Sequence, residues 1–150
     1  MKKACRLICN GSGSSGNSYV LKCGDEILLI ELGIKYEKII KSVDYDLSKI
    51  KGAIVSHIHG DHLNTITLNK FLKAGITIYS NQEVCEKYNG INILPLKRLT
   101  RIGGFIIQPI PVKHNVENYG FIIKHECIGK LVFLTDLYEF SYKIKDVNHW

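Results

Sequence analysis

The chain has 150 residues, 45% hydrophobic and 23% charged, which predicts one folded domain over residues 1–150 and excludes an intrinsically disordered chain. No apolar run approaches the ~18 residues that cross a bilayer, and the N-terminal apolar stretch is too short for a signal peptide, so we expect a cytoplasmic protein that does not use a membrane. The formal net charge of +6 favours anionic ligands, although the basic residues are scattered. The five cysteines form no C-x-x-C pair and predict buried, reduced thiols.

Short strands and helices alternate along the first half of the chain. Apolar alternation predicts strands over residues 5–9, 18–22 and 26–30, the last two forming a hairpin, and helical spacing predicts helices over 36–42 and 46–50. A buried strand over 52–56 precedes a helix from 63 to 74 that Gly75 ends, a strand over 76–80 and a helix over 81–87. Strands over 91–94, 105–110, 120–124 and 130–134 follow. This order predicts the α/β or α+β class, with mixed sheets covered by helices.

Residues 11–16, GSGSSG, match the G-x-G-x-x-G pattern of dinucleotide-binding proteins. That fingerprint requires the glycines to open a helix whose N-terminus faces the pyrophosphate. Here a β-prone segment follows, which argues against a dinucleotide site. Two interpretations stay open: a flexible turn between strands, or a loop whose backbone amides line an anionic site.

The most informative segment is His57-Ile58-His59-Gly60-Asp61-His62, between a predicted strand and a predicted helix. In extended backbone, residues two apart project from the same side, so His57 and His59 can reach one ion. Asp61 and His62 come at the turn into the helix and can face a second position, with Gly60 allowing a sharp turn. Nitrogen and carboxylate ligands suit Zn²⁺, with Mn²⁺ or iron as alternatives. The alternative without a metal is that these side chains cap the helix or pair with acids.

Two further candidate ligands come where predicted strands end. His114 follows the strand that begins at residue 105, and Asp136 ends the strand that begins at residue 130. A carboxylate in such a position can bridge two ions, and a histidine can complete the first site. His125 and His149 lack this context, and we expect both on the surface.

With these residues in order, the chain resembles the metallo-β-lactamase superfamily of metallohydrolases over nearly its whole length. The shared features are an acid before Gly after a hairpin, here Glu31, then H-x-H-x-D-H, an isolated His, and a strand that ends in Asp. The resemblance implies the αββα sandwich fold and two divalent ions. It assigns the ligands as follows: His57, His59 and His114 to the first ion, Asp61 and His62 to the second, and Asp136 as the bridge.

Segments 11–20, 116–121 and 135–138 are most similar to two branches of the superfamily. One comprises the phage anti-Pycsar phosphodiesterases, which hydrolyse cyclic nucleotide signals of host defence, and the other comprises the YycJ-like 5′–3′ DNA exonucleases. The similarity favours the phage type. We therefore expect a metal-dependent phosphodiesterase acting on a nucleotide or nucleic acid, in which the ions share a hydroxide nucleophile that Asp61 orients. The alternatives are a YycJ-like exonuclease and a non-catalytic metal-containing binding module.

Two departures from the superfamily pattern accompany the match. Glu31 replaces the usual Asp, which supports the ligand loop without binding metal. The family's final histidine ligand lies beyond another strand after the bridging Asp, whereas His149 comes too early. We therefore expect a domain that lacks the usual C-terminal portion. Truncation, completion by a partner subunit such as a second copy in a homodimer, and an abbreviated core stay open as explanations.

Overall fold

The structure is a computed structural model that describes residues 4–112 and 114–135. Its strands are β1 Cys5–Gly11, β2 Ser18–Cys23, β3 Glu26–Ile30, β4 Ile50–Ile54, β5 Ile78–Ser80, β6 Ile91–Ile93, β7 Thr100–Ile102, β8 Phe105–Val112, β9 Asn118–His125 and β10 Gly129–Phe133. Its helices are α1 Tyr36–Ser42, α2 Thr65–Lys73 and α3 Gln82–Lys87, with a 3₁₀ turn at Leu47–Lys49. No helix in these ranges is long and apolar enough to cross a membrane.

The strands form two sheets. The first has six strands in the order β1-β2-β3-β4-β5-β6, antiparallel from β1 to β3 and parallel from β3 to β6. The second has four antiparallel strands in the order β10-β9-β8-β7. The parallel strands bring the ends of β3, β4 and β5 to one edge, which is where ligands bind in sheets of this kind.

Two hydrophobic clusters hold the layers together. Helix residues Ile39, Leu68 and Phe71, all fully buried, pack on one face of the six-stranded sheet. Its other face packs against the four-stranded sheet through a second cluster that includes Leu28 and Phe121. Burying side chains of this size contributes about 1.5–3 kcal/mol each. Over the described residues the order of layers is therefore helices, sheet, sheet, which are three of the four layers expected from the resemblance.

The predicted elements match this fold with a few physical differences. The helix expected from residue 63 begins at Thr65, because the Asn64 side chain accepts a hydrogen bond from the Thr67 amide and caps it. The helix expected over 46–50 is the single 3₁₀ turn Leu47–Lys49. Strand β7 was not predicted, since three residues of mixed polarity give no readable alternation.

Candidate metal centre

The predicted ligand loop, residues 57–62, lies where three strands end. Two residues separate its first residue, His57, from the end of β4 at Ile54. Strand β4 pairs in parallel with β3, so the loop also lies beside the end of β3. The loop closes on itself where the His62 and Leu63 amides donate to the His59 carbonyl, each at 2.9 Å. His114 reaches the same place from the loop that follows β8. The candidate centre therefore sits at the carboxyl edge of the first sheet, against the second.

Three histidines converge there. His57, His59 and His114 each offer a ring nitrogen, and these atoms all lie within 4.8 Å of one another. His57 is fully buried, whereas His59 and His114 are partly exposed. The three donors are therefore buried in the protein on the side of His57 and accessible to a ligand on the side of His59 and His114.

The spacing of the donors suits a small divalent ion. The Nε2 atom of His114 and the Nδ1 atom of His59 lie 3.3 Å apart. Two nitrogens at about 2.0–2.1 Å from a tetrahedral Zn²⁺ lie about 3.3–3.4 Å from each other. Three neutral imidazoles are also a donor set that Zn²⁺ prefers, so the residues present fit a metal at this position.

A buried hydrogen-bond network fixes the ring of His57. The Ser56 hydroxyl donates to Glu31 Oε2 at 2.7 Å, so its oxygen accepts from His57 Nδ1, also at 2.7 Å. A neutral imidazole that donates from Nδ1 carries its lone pair on Nε2. Ser56 therefore selects the tautomer in which Nε2 of His57 could act as a ligand atom, as outer partners of metal-binding histidines commonly do.

Glu31 connects both halves of the ligand loop. It is fully buried, and its carboxylate accepts from the Ser56 amide at 2.6 Å, from the Ser56 hydroxyl and from His62 Nδ1. Its backbone has φ +68°, a left-handed conformation that is unfavourable for a residue with a side chain. The longer side chain that replaces the family's usual Asp is thus accommodated in the supporting role expected of that position.

His62 and Asp61 form a second pair of candidate ligands. With His62 donating from Nδ1 to Glu31, its Nε2 carries the lone pair and lies 3.5 Å from Asp61 Oδ2. Two acceptors at this separation can share a cation. Glu31, His57 and His62 also bring donor atoms within 4.8 Å of one another, so the two positions are contiguous through His57.

Asn17, at the end of the Gly/Ser loop, secures the second pair. Its amide nitrogen donates to the Asp61 carbonyl at 3.0 Å and lies 3.2 Å from His62 Nε2, and its backbone N–H donates to the same carbonyl at 2.7 Å. Gly33 packs so closely on this carbonyl that a Cβ atom would overlap it. The Gly/Ser loop is therefore a structural support of the ligand loop.

The second sheet is tied to the ligand loop through the Ser56 carbonyl. This oxygen accepts from the Tyr119 amide at 2.9 Å and from Asn81 Nδ2 at 3.0 Å. Asn81 is fully buried and also donates to the Glu117 carbonyl at 2.9 Å. These bonds set the distance between the loop that carries His114 and the loop that carries His57.

The structure brings the predicted ligands together to different degrees. It groups His57, His59 and His114, and it places Asp61 beside His62. Asp136 lies outside the described residues, as does His149. The ligand role of all six residues stays a prediction at this point.

Two expectations about neighbouring residues are corrected by the structure, and two supporting residues were not predicted. His125 is buried, not on the surface: its ring packs on Phe105 with centroids 4.6 Å apart. Gly60 has no left-handed backbone and open space around it, so the turn does not require glycine there. The supporting roles of Asn17 and Asn81 were missed, because their partners lie 25 to 45 residues away and only the fold brings them close.

Comparisons with known proteins give a family-model match and two sequence relatives. The family model of the anti-Pycsar protein Apyc1 matches residues 10–71, which include the Gly/Ser loop, Glu31 and the ligand loop. Exodeoxyribonuclease YycJ of Bacillus anthracis is 22% identical over 148 residues, covering 91% of this chain and 56% of that protein. Exodeoxyribonuclease WalJ of Streptococcus pneumoniae is 24% identical over 139 residues, covering 83% of this chain and 51% of that protein.

A solved structure agrees with the fold. The metallo-β-lactamase fold protein YhfI of Bacillus subtilis superposes with a TM-score of 0.70 at 21% identity, over 86% of this chain and 61% of that one. The chain thus has the metallo-β-lactamase fold, which confirms the resemblance. It spans about half the length of the exodeoxyribonucleases it matches.

Proposed function

We propose that the protein is a metal-dependent phosphodiesterase whose substrate is a cyclic nucleotide. The observation that carries the proposal is the convergence of His57, His59 and His114 around one position, with Asp61 and His62 paired beside it. The anti-Pycsar family model supports it, because its match covers four of the six proposed ligands and their supporting residues. In the proposal Asp136 is the bridging ligand.

Divalent ions bound at such a site polarise a phosphoryl oxygen and lower the pKa of water towards neutrality. The protein's own residues prepare the site. Ser56 and Glu31 hold His57 in the ligand tautomer, and Glu31 does the same for His62. The Asp61 side chain is 30% exposed while its backbone is fixed by Asn17, so its carboxylate can orient an attacking water towards a bound phosphodiester.

A cleft beside the ligand loop supports a compact anionic substrate. It has a volume of about 580 Å³, within the range of small-molecule sites, and Gly16 and Gly33 form part of its wall. Lys35 and Lys38, both exposed, contribute positive charge to it. Glu37 is the acidic residue of the lining, and it is paired with Lys70 outside the cleft. In this proposal the lysines attract the anionic substrate towards the neighbouring metal centre.

Metal content and hydrolysis test the proposal. Two equivalents of zinc or manganese per chain, with hydrolysis of bis-p-nitrophenyl phosphate that a chelator abolishes, are expected. His59→Ala should remove this activity, whereas His125→Gln, which alters a buried histidine in the second sheet, should retain it in the folded fraction. One inert equivalent of metal would instead indicate a non-catalytic binding module.

A second candidate function is 5′–3′ DNA exonuclease. It is favoured by the match to YycJ and WalJ, which extends over 83–91% of this chain, whereas the anti-Pycsar model covers residues 10–71. Incubation with cyclic CMP, cyclic UMP and a 5′-phosphorylated duplex under Mn²⁺ separates the two. Cleavage of the duplex alone would overturn the preference for cyclic nucleotides.

A further inference from the structure

A pair of thiols lies far along β1 from the metal centre. Cys5 and Cys23 are direct partners in the antiparallel register of β1 and β2, so their side chains leave the sheet on the same face. Both belong to the cluster between the two sheets, where Cys23 is 1% exposed and Cys5 is partly exposed.

The hydrogen-bond pattern identifies the type of pair. The Gly24 amide donates to the Ala4 carbonyl at 3.0 Å, which makes Ala4 and Gly24 a hydrogen-bonded pair. Because the two types alternate along an antiparallel ladder, Cys5 and Cys23 are a non-hydrogen-bonded pair. Cα atoms in such pairs are about 4.5 Å apart, within the 4.4–6.8 Å span of disulfides. A bond between the two sulfurs therefore needs no backbone movement.

A cavity gives one of the two thiols access to small solutes. It has a volume of about 330 Å³ and is lined by Cys5, Arg6 and Cys127 among others, but not by Cys23. An oxidant entering this cavity can reach Cys5 and Cys127, whereas Cys23 does not line it. Burial raises the pKa of the Cys23 thiol to about 12, and contact with the Cys5 thiol adds to this, so Cys23 is a thiol and not a thiolate at neutral pH.

We propose that Cys5 and Cys23 form a redox-sensitive dithiol that hydrogen peroxide closes to a cross-strand disulfide. The Cys5 sulfur attacks one peroxide oxygen and the O–O bond breaks, giving a sulfenic acid and one water. The Cys23 sulfur then attacks the Cys5 sulfur; the S–S bond forms, the S–O bond breaks, and the hydroxide leaves as water with the Cys23 proton. Two thiols are oxidised and one peroxide is reduced to two waters.

To test the proposal, the zinc-loaded full chain is treated with hydrogen peroxide, digested with trypsin and measured by mass spectrometry. Trypsin cleaves after Lys3, Arg6, Lys22 and Lys35, so Cys5, Cys9 and Cys23 fall in three different peptides. The expected product has lost the mass of two hydrogens and links the peptide 4–6 to the peptide 23–35, and dithiothreitol reverses both changes. A link from Cys5 to any other cysteine, or absence of the Cys5–Cys23 link at a peroxide dose that already oxidises exposed Cys9, would overturn the proposal.

Two variants separate the proposed order of events from general thiol reactivity. In Cys23→Ser the proposed partner of the Cys5 sulfenic acid is removed, but Cys127 lines the same cavity. Dimedone should therefore label Cys5 in the double variant Cys23→Ser/Cys127→Ser and not in the wild type. Cys9→Ser, on the same strand but exposed, should form the link as the wild type does. If the double variant fails to fold, the peptide link in the wild-type chain decides the question alone.

Discussion

Replacing Ser56 by Ala is the sharpest test of how the candidate metal centre is built. The change removes two buried hydrogen bonds of 2.7 Å, one from the hydroxyl to Glu31 and one from His57 Nδ1 to the hydroxyl oxygen. The ring of His57 then loses the partner that selects its tautomer. Loss of such a partner lowers metal affinity about 10–100-fold, which corresponds to about 1.4–2.7 kcal/mol.

The assay is competition for Zn²⁺ with a chromophoric chelator, read for the first equivalent bound. Ser80→Ala is a matched control: Ser80 is also fully buried at the carboxyl edge of the same sheet, but its hydroxyl donates to the Val55 carbonyl at 2.7 Å. Both variants should lose about 1–3 kcal/mol of stability from a buried polar group left unsatisfied. Only Ser56→Ala should lose metal affinity.

Equal affinities of wild type and Ser56→Ala for the first ion would refute this reasoning, provided the variant is folded. Equal losses in Ser56→Ala and Ser80→Ala would show a general effect of destabilising the edge of the sheet. In either case Ser56 would not be a positioning residue for His57.

Three further predictions concern packing and titration. Gly33→Ala should lower the free energy of unfolding by about 3 kcal/mol in urea denaturation, because its Cβ would overlap a backbone carbonyl, whereas Gly60→Ala should change it by less than about 0.5 kcal/mol. Burial raises the pKa of Tyr119 to about 12, so the free energy of unfolding should fall from about pH 10 upwards. The free energy of unfolding of Tyr119→Phe should fall less over the same range, and parallel curves for the two proteins would contradict this. Burial acts to raise the pKa of Glu26, but the Gly104 amide and the nearby His125 outweigh burial and leave the pKa lowered. The ionised Glu26 therefore stabilises the folded protein above about pH 4.3, and this stabilisation is lost in acid. Glu26→Gln should therefore flatten the acid limb of a stability–pH curve of the metal-free protein, and an unchanged limb would count against the assignment.

The ligand loop could be predicted from sequence because its spacing is local. His57 and His59 are two residues apart, a spacing that favours one side in extended backbone, and they still converge although β4 ends at Ile54 and both lie in the loop after it. Apolar periodicity likewise predicted most strands and helices, since each element buries its own stripe of side chains. Patterns of this kind can be recognised in the sequence because they depend on neighbouring residues and not on contacts with distant parts of the fold.

The supports of the loop could not be predicted in the same way. Asn17 reaches Asp61 and His62 across 44 and 45 residues, and a polar residue after a glycine-rich loop has many other uses. His125 was expected on the surface because it lacked the sequence context of the other candidate ligands, yet its place at the end of β9 packs it on Phe105. Such contacts depend on sheet register, which the sequence pattern constrains only loosely.

The carboxylate of Glu31 has a thermodynamic consequence for metal loading. One oxygen receives both the hydroxyl that orders His57 and the ring nitrogen of His62, so a single group is shared by the two candidate positions. Both rings are thus held by this one carboxylate. A change that removes its charge, such as Glu31→Gln, should therefore lower metal affinity at both candidate positions together and not at one alone.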